Sequence, residues 1–377
     1  MKKKILFYYP SNKRSVQIET TLREIKNLGY DILLFTTCPK GKLHENLNAI
    51  GIKSYTSISK RTTSFFYYLF QIIALIRFCN KQNIDLVFSN LQHTNLIAVL
   101  AQYFMKSKVI AFRHHFKFSK GNFGVPLKVN KNEQRFDNII NKLARHQVVP
   151  SKGVYDGILK YENVNPNRIE IIPYMYDFKL YPSIDVEEVD NIKAKYPAKL
   201  RLIMVARLIP FKRHILVLPI IQKLIKEGLD IHLFILDEGP EEELLRSYCV
   251  QNNLNDHVTF VGYTENFLEY MSSADLLLHP SLTEASNNVV KEIGLLEKTV
   301  AVCRGVGDFD DYIIDGKNGY LMELEDPRID IEKIIKKLYL NDDINTGINL
   351  RKSILENFND NAKVLKQYES LILKHSR

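Results

Sequence analysis

Short apolar runs alternate with helical spacings along the whole chain. Residues 4–9 (KILFYY) read as a strand, and residues 16–28 carry amphipathic helical spacing that stops at Gly29. Further apolar runs follow at 32–35, 85–88, 108–112 and 147–150. Stretches of 10–20 residues, mostly helical in pattern, separate many of them. Runs that are apolar almost throughout, rather than alternating, predict parallel strands covered on both faces. The pattern then starts again. Strands are predicted at 201–205, 231–236, 258–261, 276–278 and 300–302, with helices at 215–226, ending before Gly228, and at 241–252. A final helical segment, 360–374, has apolar residues at Val364, Leu365, Tyr368, Leu371 and Ile372, and its pattern lets it cover either half.

Two successive βα series in 377 residues predict an α/β protein of two doubly wound, Rossmann-like domains facing across a cleft. The expected boundaries are 1–178 for the first domain, 179–199 for a linker containing Pro182, Pro197 and a group of acids, and 200–359 for the second. Ligands of such sheets bind beyond the carboxyl ends of the strands, so chemistry is sought there. The apolar stretch 65–78 is interrupted by Gln71 and Arg77 and is too short to span a bilayer. The basic start, Met1-Lys2-Lys3-Lys4, lacks the apolar region and cleavage site of a signal peptide. Cys38, Cys79, Cys249 and Cys303 are widely separated, which fits reduced thiols and gives no zinc or redox spacing.

Charge divides the chain. Residues 1–180 hold 28 Lys and Arg against 11 Asp and Glu, whereas the whole chain is only +9. The first half is therefore expected to meet something anionic: a membrane surface, a phosphate-bearing acceptor or nucleic acid. No helix-turn-helix, RRM or zinc pattern supports nucleic acid, and none is expected as a partner. Basic clusters at Lys13-Arg14, Lys60-Arg61, Lys106 to Lys108 and 113–131, with Phe112, Phe116, Phe118 and Phe123 near the last, are the expected membrane contacts.

Three constellations fall at predicted strand ends. Arg207 and Lys212 follow the strand 201–205 and could clamp a diphosphate, a planar fork beside a movable point charge. A solvated surface pair is the plainer alternative. Residues 280–292 (PSLTEASNNVVKE) follow the strand 276–278. Ser286, Asn287 and Asn288 favour a helix start whose N–H groups suit phosphate oxygens, with Glu284 and Glu292 on either side of it. Arg113-His114-His115 ends the strand at 112, where a histidine could bond a sugar hydroxyl or share a proton. His93 is a weaker rival. The loops 237–240 (DEGP) and 305–307 (GVG) end other strands and do not form the dinucleotide pattern GxGxxG.

Taken in order, Ala206-Arg207-Leu208 with Lys212, the DEGP loop, the Glu284-x7-Glu292 spacing, the GVG loop and 315–319 (DGKNG) resemble the retaining GT-B glycosyltransferases of family 4. The resemblance is strong from about Pro150 onward and colinear before it. It implies a nucleotide-sugar donor, UDP- or GDP-linked, and a saccharide or lipid-linked acceptor. Arg207 and Lys212 would hold the donor diphosphate, with N–H groups near Asn288 and Val289 also on the phosphates. Glu292 would take the ribose, Glu284 the donor sugar, and Gly262 and Tyr263 the region of the base. Glu284 and His114 would be the catalytic pair, His114 lying near the transferred sugar with His115 one residue away. The segment 360–377 would cross back to the first domain.

The chain departs from the family pattern at Ala206 and Asp237, where glycines are usual, at 11–15 (SNKRS) in place of a Gly-rich loop, and at Tyr174-Met175 in place of Asn-Gly. No cofactor or divalent metal is expected. Asp308-Phe309-Asp310 has the spacing of a metal-holding pair but lies in a loop without that role in the family. The expected setting is the cytoplasm, peripheral to the inner face of the plasma membrane, in polysaccharide or glycolipid assembly. A nucleotide-sugar epimerase and a catalytically silent nucleotide-sugar-binding protein are the alternatives.

Overall fold

The computed structural model describes residues 3–57, 64–116, 131–340 and 345–375. They form two compact units. One contains the chain up to residue 116, residues 131–181 and the C-terminal segment from Phe358; the other spans Pro182–Asn357.

In the first unit, β1 (Lys4–Tyr9), α1 (Val16–Asn27), β2 (Asp31–Thr36), α2 (Lys42–Ala49), β3 (Lys53–Thr56) and α3 (Phe65–Gln82) are followed by β4 (Leu86–Asn90), α4 (Gln92–Ala101) and β5 (Lys108–Phe112). Then come α5 (Lys131–Leu143), β6 (Gln147–Val149), α6 (Lys152–Glu162) and β7 (Ile169–Ile171). The seven strands pair in parallel in the order β3-β2-β1-β4-β5-β6-β7. The inner strands are buried almost throughout, which is why they read as unbroken apolar runs. β3 and β7 were not predicted, nor was the last strand of the second sheet. All three are edge strands of three or four residues, too short to establish a period.

The second unit holds α7 (Val186–Lys195), β8 (Leu200–Val205), α8 (His214–Lys226), β9 (Ile231–Leu236), α9 (Glu242–Gln251), β10 (Val258–Gly262) and α10 (Phe267–Ser273). It continues with β11 (Leu276–His279), α11 (Asn288–Leu295), β12 (Thr299–Cys303), α12 (Phe309–Tyr312), β13 (Tyr320–Met322), α13 (Arg328–Tyr339) and α14 (Thr346–Phe358). Its strands are parallel in the order β10-β9-β8-β11-β12-β13. About half of the segment read as a linker is helix α7. Asp185 caps it by accepting from Glu188 N at 3.2 Å, and Val189 and Ile192 are buried, so the acids are a helix start.

The last helix, α15 (Ala362–His375), belongs to the first unit. Tyr368, Leu371 and Ile372 enter a core with Leu22 and Ile25 of α1, Leu43 and Leu47 of α2 and the face of the sheet carrying Phe7 and Phe88. Helices α3, α4 and α5 cover the opposite face. Asn361 ties the helix start to the chain after β7, exchanging bonds with Tyr176 N at 3.1 Å and Tyr176 O at 2.7 Å.

Each sheet reverses its strand order once, between β1 and β4 and between β8 and β11. There neighbouring strands send their connections to opposite faces, which opens a crevice at the carboxyl edge. Because Ile372 is fully buried and Leu373 is exposed, Ile372→Ala should lower stability by about 2–5 kcal/mol while Leu373→Ala changes it by no more than about 0.5 kcal/mol. Denaturant titration of both variants checks this; equal effects would mean that α15 is not seated as described.

Candidate functional site

The β8/β11 switch point brings together Lys212, Glu284 and His279 of the second unit. After β8 the chain makes a short 3-10 turn, Pro210–Lys212, which presents Lys212. After β11, Leu282 N donates to Phe211 O at 2.9 Å, stitching the two loops together. This brings Lys212 Nζ onto Glu284 Oε1, and His279, the last residue of β11, places Nε2 at 2.6 Å from the same oxygen. Lys212 and Glu284 therefore compensate each other. Burial alone would raise the Glu284 carboxyl; His279 and Lys212 outweigh it and hold Glu284 well below the usual carboxylate range.

Helix α11 begins beside this cluster. Asn287 caps it, accepting from Val290 N at 3.0 Å, so Asn288 and Val289 occupy the first turn and Glu292 the second. First-turn N–H groups point out of a helix and suit an anion. Behind the turn, buried Lys291 donates to Asp308 Oδ2 at 2.9 Å and to Ser286 Oγ at 3.0 Å, and Ser286 Oγ donates to Asp308 Oδ2 at 2.5 Å. Asp310 accepts from Gly305 N at 2.5 Å. Both carboxylates of the Asp-x-Asp spacing thus have internal partners. Gly307 has φ +61°, and a Cβ there would lie 3.1 Å from Glu284 Cβ. Glycine favours both this conformation and the close approach of the two loops.

Arg207 is exposed, just beyond β8. The DEGP loop packs on the next residue: Leu208 N donates to Glu238 O at 3.1 Å, and a Cβ on Gly239 would sit 2.4 Å from Leu208 O. Asp237, where the family has glycine, adopts φ +82°, the left-handed region that glycine favours, and its carboxylate accepts from Glu238 N at 2.8 Å. Asp237 N donates to Gly262 O at 2.9 Å, which sets Gly262 and exposed Tyr263 beside this loop.

Two residues of this edge escaped the sequence reading. His279 lies one residue past the strand predicted at 276–278. Arg213 follows Lys212 and is fully buried; its guanidinium donates to Pro280 O at 2.6 Å, Leu324 O at 2.7 Å and Cys303 Sγ at 3.1 Å. A buried, multiply bonded arginine has no signature in spacing.

In the first unit, His114 lies two residues beyond β5. Its Nδ1 meets the Tyr174 hydroxyl, and its Nε2 lies 3.3 Å from Asn90 Oδ1 at the end of β4. A neutral ring protonated on Nε2 satisfies both, donating to Asn90 and accepting from Tyr174. Burial, with His115 and Arg113, pushes His114 down to about 3. His115 sits instead by Arg113, Asp137 and Glu162, and burial and Arg113 lower it. His93 pairs with Tyr68 at 2.6 Å.

The membrane contacts expected around residue 113 need correction. Arg113 is buried, paired with Glu162 at 3.0 Å and Asp137 at 3.3 Å. Phe112 is buried in the core, and Phe116 lies over Gly157 and stacks on Tyr161. Phe118, Phe123, Lys60 and Arg61 lie outside the described residues. No helix among the described residues is long and apolar enough to cross a membrane.

Sequence profiles match both halves. Residues 185–360 match "Glycosyl transferases group 1" and residues 15–179 match "Glycosyltransferase Family 4". The chain belongs to the family 4 glycosyltransferases. Among solved structures, HepE of Anabaena in complex with UDP-glucose aligns with TM-score 0.76 at 17% identity, over 98% of this chain and 99% of that one. TarM aligns with TM-score 0.74 at 13% identity over 98% of each chain. At such identities these matches show the fold, two parallel α/β sheets of the GT-B class. A curated relative in Campylobacter jejuni, N-acetylgalactosamine-N,N'-diacetylbacillosaminyl-diphospho-undecaprenol 4-alpha-N-acetylgalactosaminyltransferase, is 25% identical over 228 residues, 57% of this chain and 56% of that protein. A Staphylococcus aureus relative, poly(ribitol-phosphate) alpha-N-acetylglucosaminyltransferase, is 21% identical over 267 residues, 67% of this chain and 53% of that protein. The chain thus spans about half the length of the curated relatives it matches.

In this family 4 chain, His214 opens α8 beside Lys212, is fully buried, and has no hydrogen-bond partner on either ring nitrogen among the described residues. Burial, with His279 and Lys212, pushes it down to about 3. An unfolded histidine titrates near 6.5. Between about pH 6.5 and 3 the unfolded chain therefore takes up a proton that the folded one refuses, and stability falls as pH falls. His214→Leu removes both this linkage and two unpaired buried nitrogens. Its melting temperature at pH 7 should equal or exceed that of the wild type and fall less steeply between pH 7 and 5. Parallel curves would refute the assignment.

Proposed function

We propose that the chain is a retaining glycosyltransferase that moves a sugar from a UDP- or GDP-sugar to a saccharide acceptor. The observation that carries this reading is the convergence of Lys212, Glu284 and His279 beside the first turn of α11, at the switch point of a sheet in a family 4 chain. As the bond to the donor phosphate breaks, negative charge grows on the leaving oxygens. Arg207, Lys212 and the N–H groups at Asn288 and Val289 stabilise that charge where it develops. Lys212 exchanges Glu284 for the diphosphate, so the site holds a neutralised cation until donor arrives. Glu284, still oriented by His279, turns its second oxygen to the hydroxyls of the donor sugar. Glu292 accepts from the ribose, and Gly262 and Tyr263 flank the base.

His114 acts in this scheme as a neutral hydrogen-bonding group toward the sugar. A ring titrating at about 3 is a poor proton acceptor at neutral pH, which favours hydrogen bonding over proton transfer. The acceptor hydroxyl attacks on the face the leaving group departs from, and the anomeric configuration is retained. No cofactor, divalent metal or nucleic acid takes part.

The finer setting we propose is assembly of a bacterial-type surface polysaccharide or glycolipid, with a lipid-linked acceptor at the cytoplasmic face of an anionic membrane. The excess of cations in residues 1–180 supports it, as does the diphospho-undecaprenol in the name of the Campylobacter relative.

Thermal shift with a panel of UDP- and GDP-sugars identifies the donor. With it, Lys212→Ala or Arg207→Ala should lower turnover roughly a hundredfold or more. Glu284→Gln should lose turnover but bind the bare nucleoside diphosphate at least as well as wild type, because Lys212 is no longer neutralised. Glu292→Ala should weaken that binding. Wild-type turnover in the Lys212 variant, or weaker diphosphate binding in Glu284→Gln, would overturn the scheme. Product released from donor without acceptor would point to an epimerase instead.

Turnover should also persist in excess EDTA. Complete loss, restored by Mn²⁺, would redirect attention to Asp308 and Asp310.

A further inference from the structure

Helix α3 is apolar on both faces. Ser64 caps its start by accepting from Tyr67 N at 3.2 Å, and Asn83 ends it in the left-handed conformation. One face, Tyr67, Tyr68, Leu75 and Cys79, is buried against the sheet and α4. At 100° per residue those positions fall on one side of the helix. Phe65, Phe66, Leu69, Phe70 and Ile73 fall on the other, and all five are exposed: Phe65 by 73%, Phe66 by 78% and Phe70 by 49%. A scattered exposed phenylalanine is ordinary, but five large apolar side chains sharing one arc mark an interaction surface.

Charge identifies the partner. Residues 46–132 contain twelve Lys and Arg and a single acid, Asp85. Arg77 and Lys81 are exposed on α3 itself, one and two turns beyond Ile73, and Arg77 continues the apolar arc. Lys106 and Lys108 are exposed after α4, the helix packed beside α3. An apolar aromatic face followed by cations, with almost no anion in the surrounding sequence, is the pattern that enters the headgroup region of an anionic bilayer. We propose that the outer face of α3 is the membrane-docking element of this protein, with Phe65, Phe66 and Phe70 entering the lipid and Arg77 and Lys81 engaging anionic headgroups. This rests on the membrane setting proposed above and replaces the contacts expected around residue 113. Because the inner face of α3 is already packed in the core, the helix docks as a rigid edge and needs no folding on binding.

The test is co-sedimentation of the full chain with vesicles of phosphatidylcholine alone or mixed with phosphatidylglycerol, at low and high salt. The variants are F65S/F66S/F70S and R77Q/K81Q, all at exposed positions, with unchanged melting temperature as the check on folding. Wild type should bind the anionic vesicles. F65S/F66S/F70S should bind about tenfold or more weakly at either salt, and R77Q/K81Q should bind weakly only at low salt relative to wild type, since headgroup attraction is already screened at high salt. Thermal shifts with the nucleoside diphosphate should be the same in all three. If wild type binds anionic vesicles and F65S/F66S/F70S binds equally well, the assignment to α3 is wrong while the membrane setting stands. If wild type binds no vesicle, both fail. If wild type elutes as a dimer without binding lipid and F65S/F66S/F70S elutes as a monomer, the face is a self-contact and the proposal is overturned.

Discussion

A single buried guanidinium holds the carboxyl edge of the second sheet. Arg213 bonds the carbonyl of Pro280 after β11, the carbonyl of Leu324 after β13 and the sulfur of Cys303 at the end of β12, while its own backbone, at φ +57°, turns the chain from the β8 loop into α8. Neighbours in the sequence on both sides of these contacts are residues of the candidate site. Lys212 precedes Arg213, and His279 precedes Pro280. Tying one loop to the other helps hold Lys212 near Glu284, through a guanidinium that bonds neither side chain. A lysine could not replace it, because one ammonium lacks the planar fork that reaches three acceptors at once.

Around that anchor, the charges near the strand ends are compensated before any ligand arrives. Lys212 has Glu284, Lys291 has Asp308, and Arg113 in the other unit has Glu162 and Asp137. Desolvating a lone charge is costly, and pairing limits that cost without making the pair strongly stabilising. The pairs differ in accessibility. Lys291 and Arg113 are sealed in and serve to position their loops. Lys212 and Glu284 keep part of their surface open, so an incoming anion can compete for the lysine. That difference separates a structural ion pair from one that a substrate can rearrange.

The departures from the family pattern have local explanations. Asp237 takes a glycine-like conformation and meets its cost partly through a hydrogen bond to its own neighbour. Tyr174, where the family has Asn, occupies His114 Nδ1, and Asn90 Oδ1, which can only accept, sets the tautomer that leaves Nε2 donating. On α3, the apolar stretch that is too short to span a bilayer is a two-faced helix. The buried face satisfies the fold, and the exposed face is surplus to it.

The alternation of apolar runs and helical spacings was sufficient by itself for the two parallel α/β sheets, because strands buried on both faces must be apolar throughout. The motif residues at the strand ends were equally legible, since a fixed loop must put the same residue types at the same spacing. Edge strands β3, β7 and β13 escaped notice, being too short for a period, and α7 was hidden by the acids that cap it. The pairings were decided only in three dimensions. Lys212 and Glu284 lie 72 residues apart and meet because β8 and β11 are neighbours across the order reversal. Arg113 read as a surface cation and Phe112 as a lipid anchor until packing buried both, whereas nothing in the apolar run 65–78 showed that Phe65 and Phe66 would stay outside. Composition specifies how much charge and apolar surface a segment carries. Which of it faces solvent depends on neighbours that local sequence does not contain.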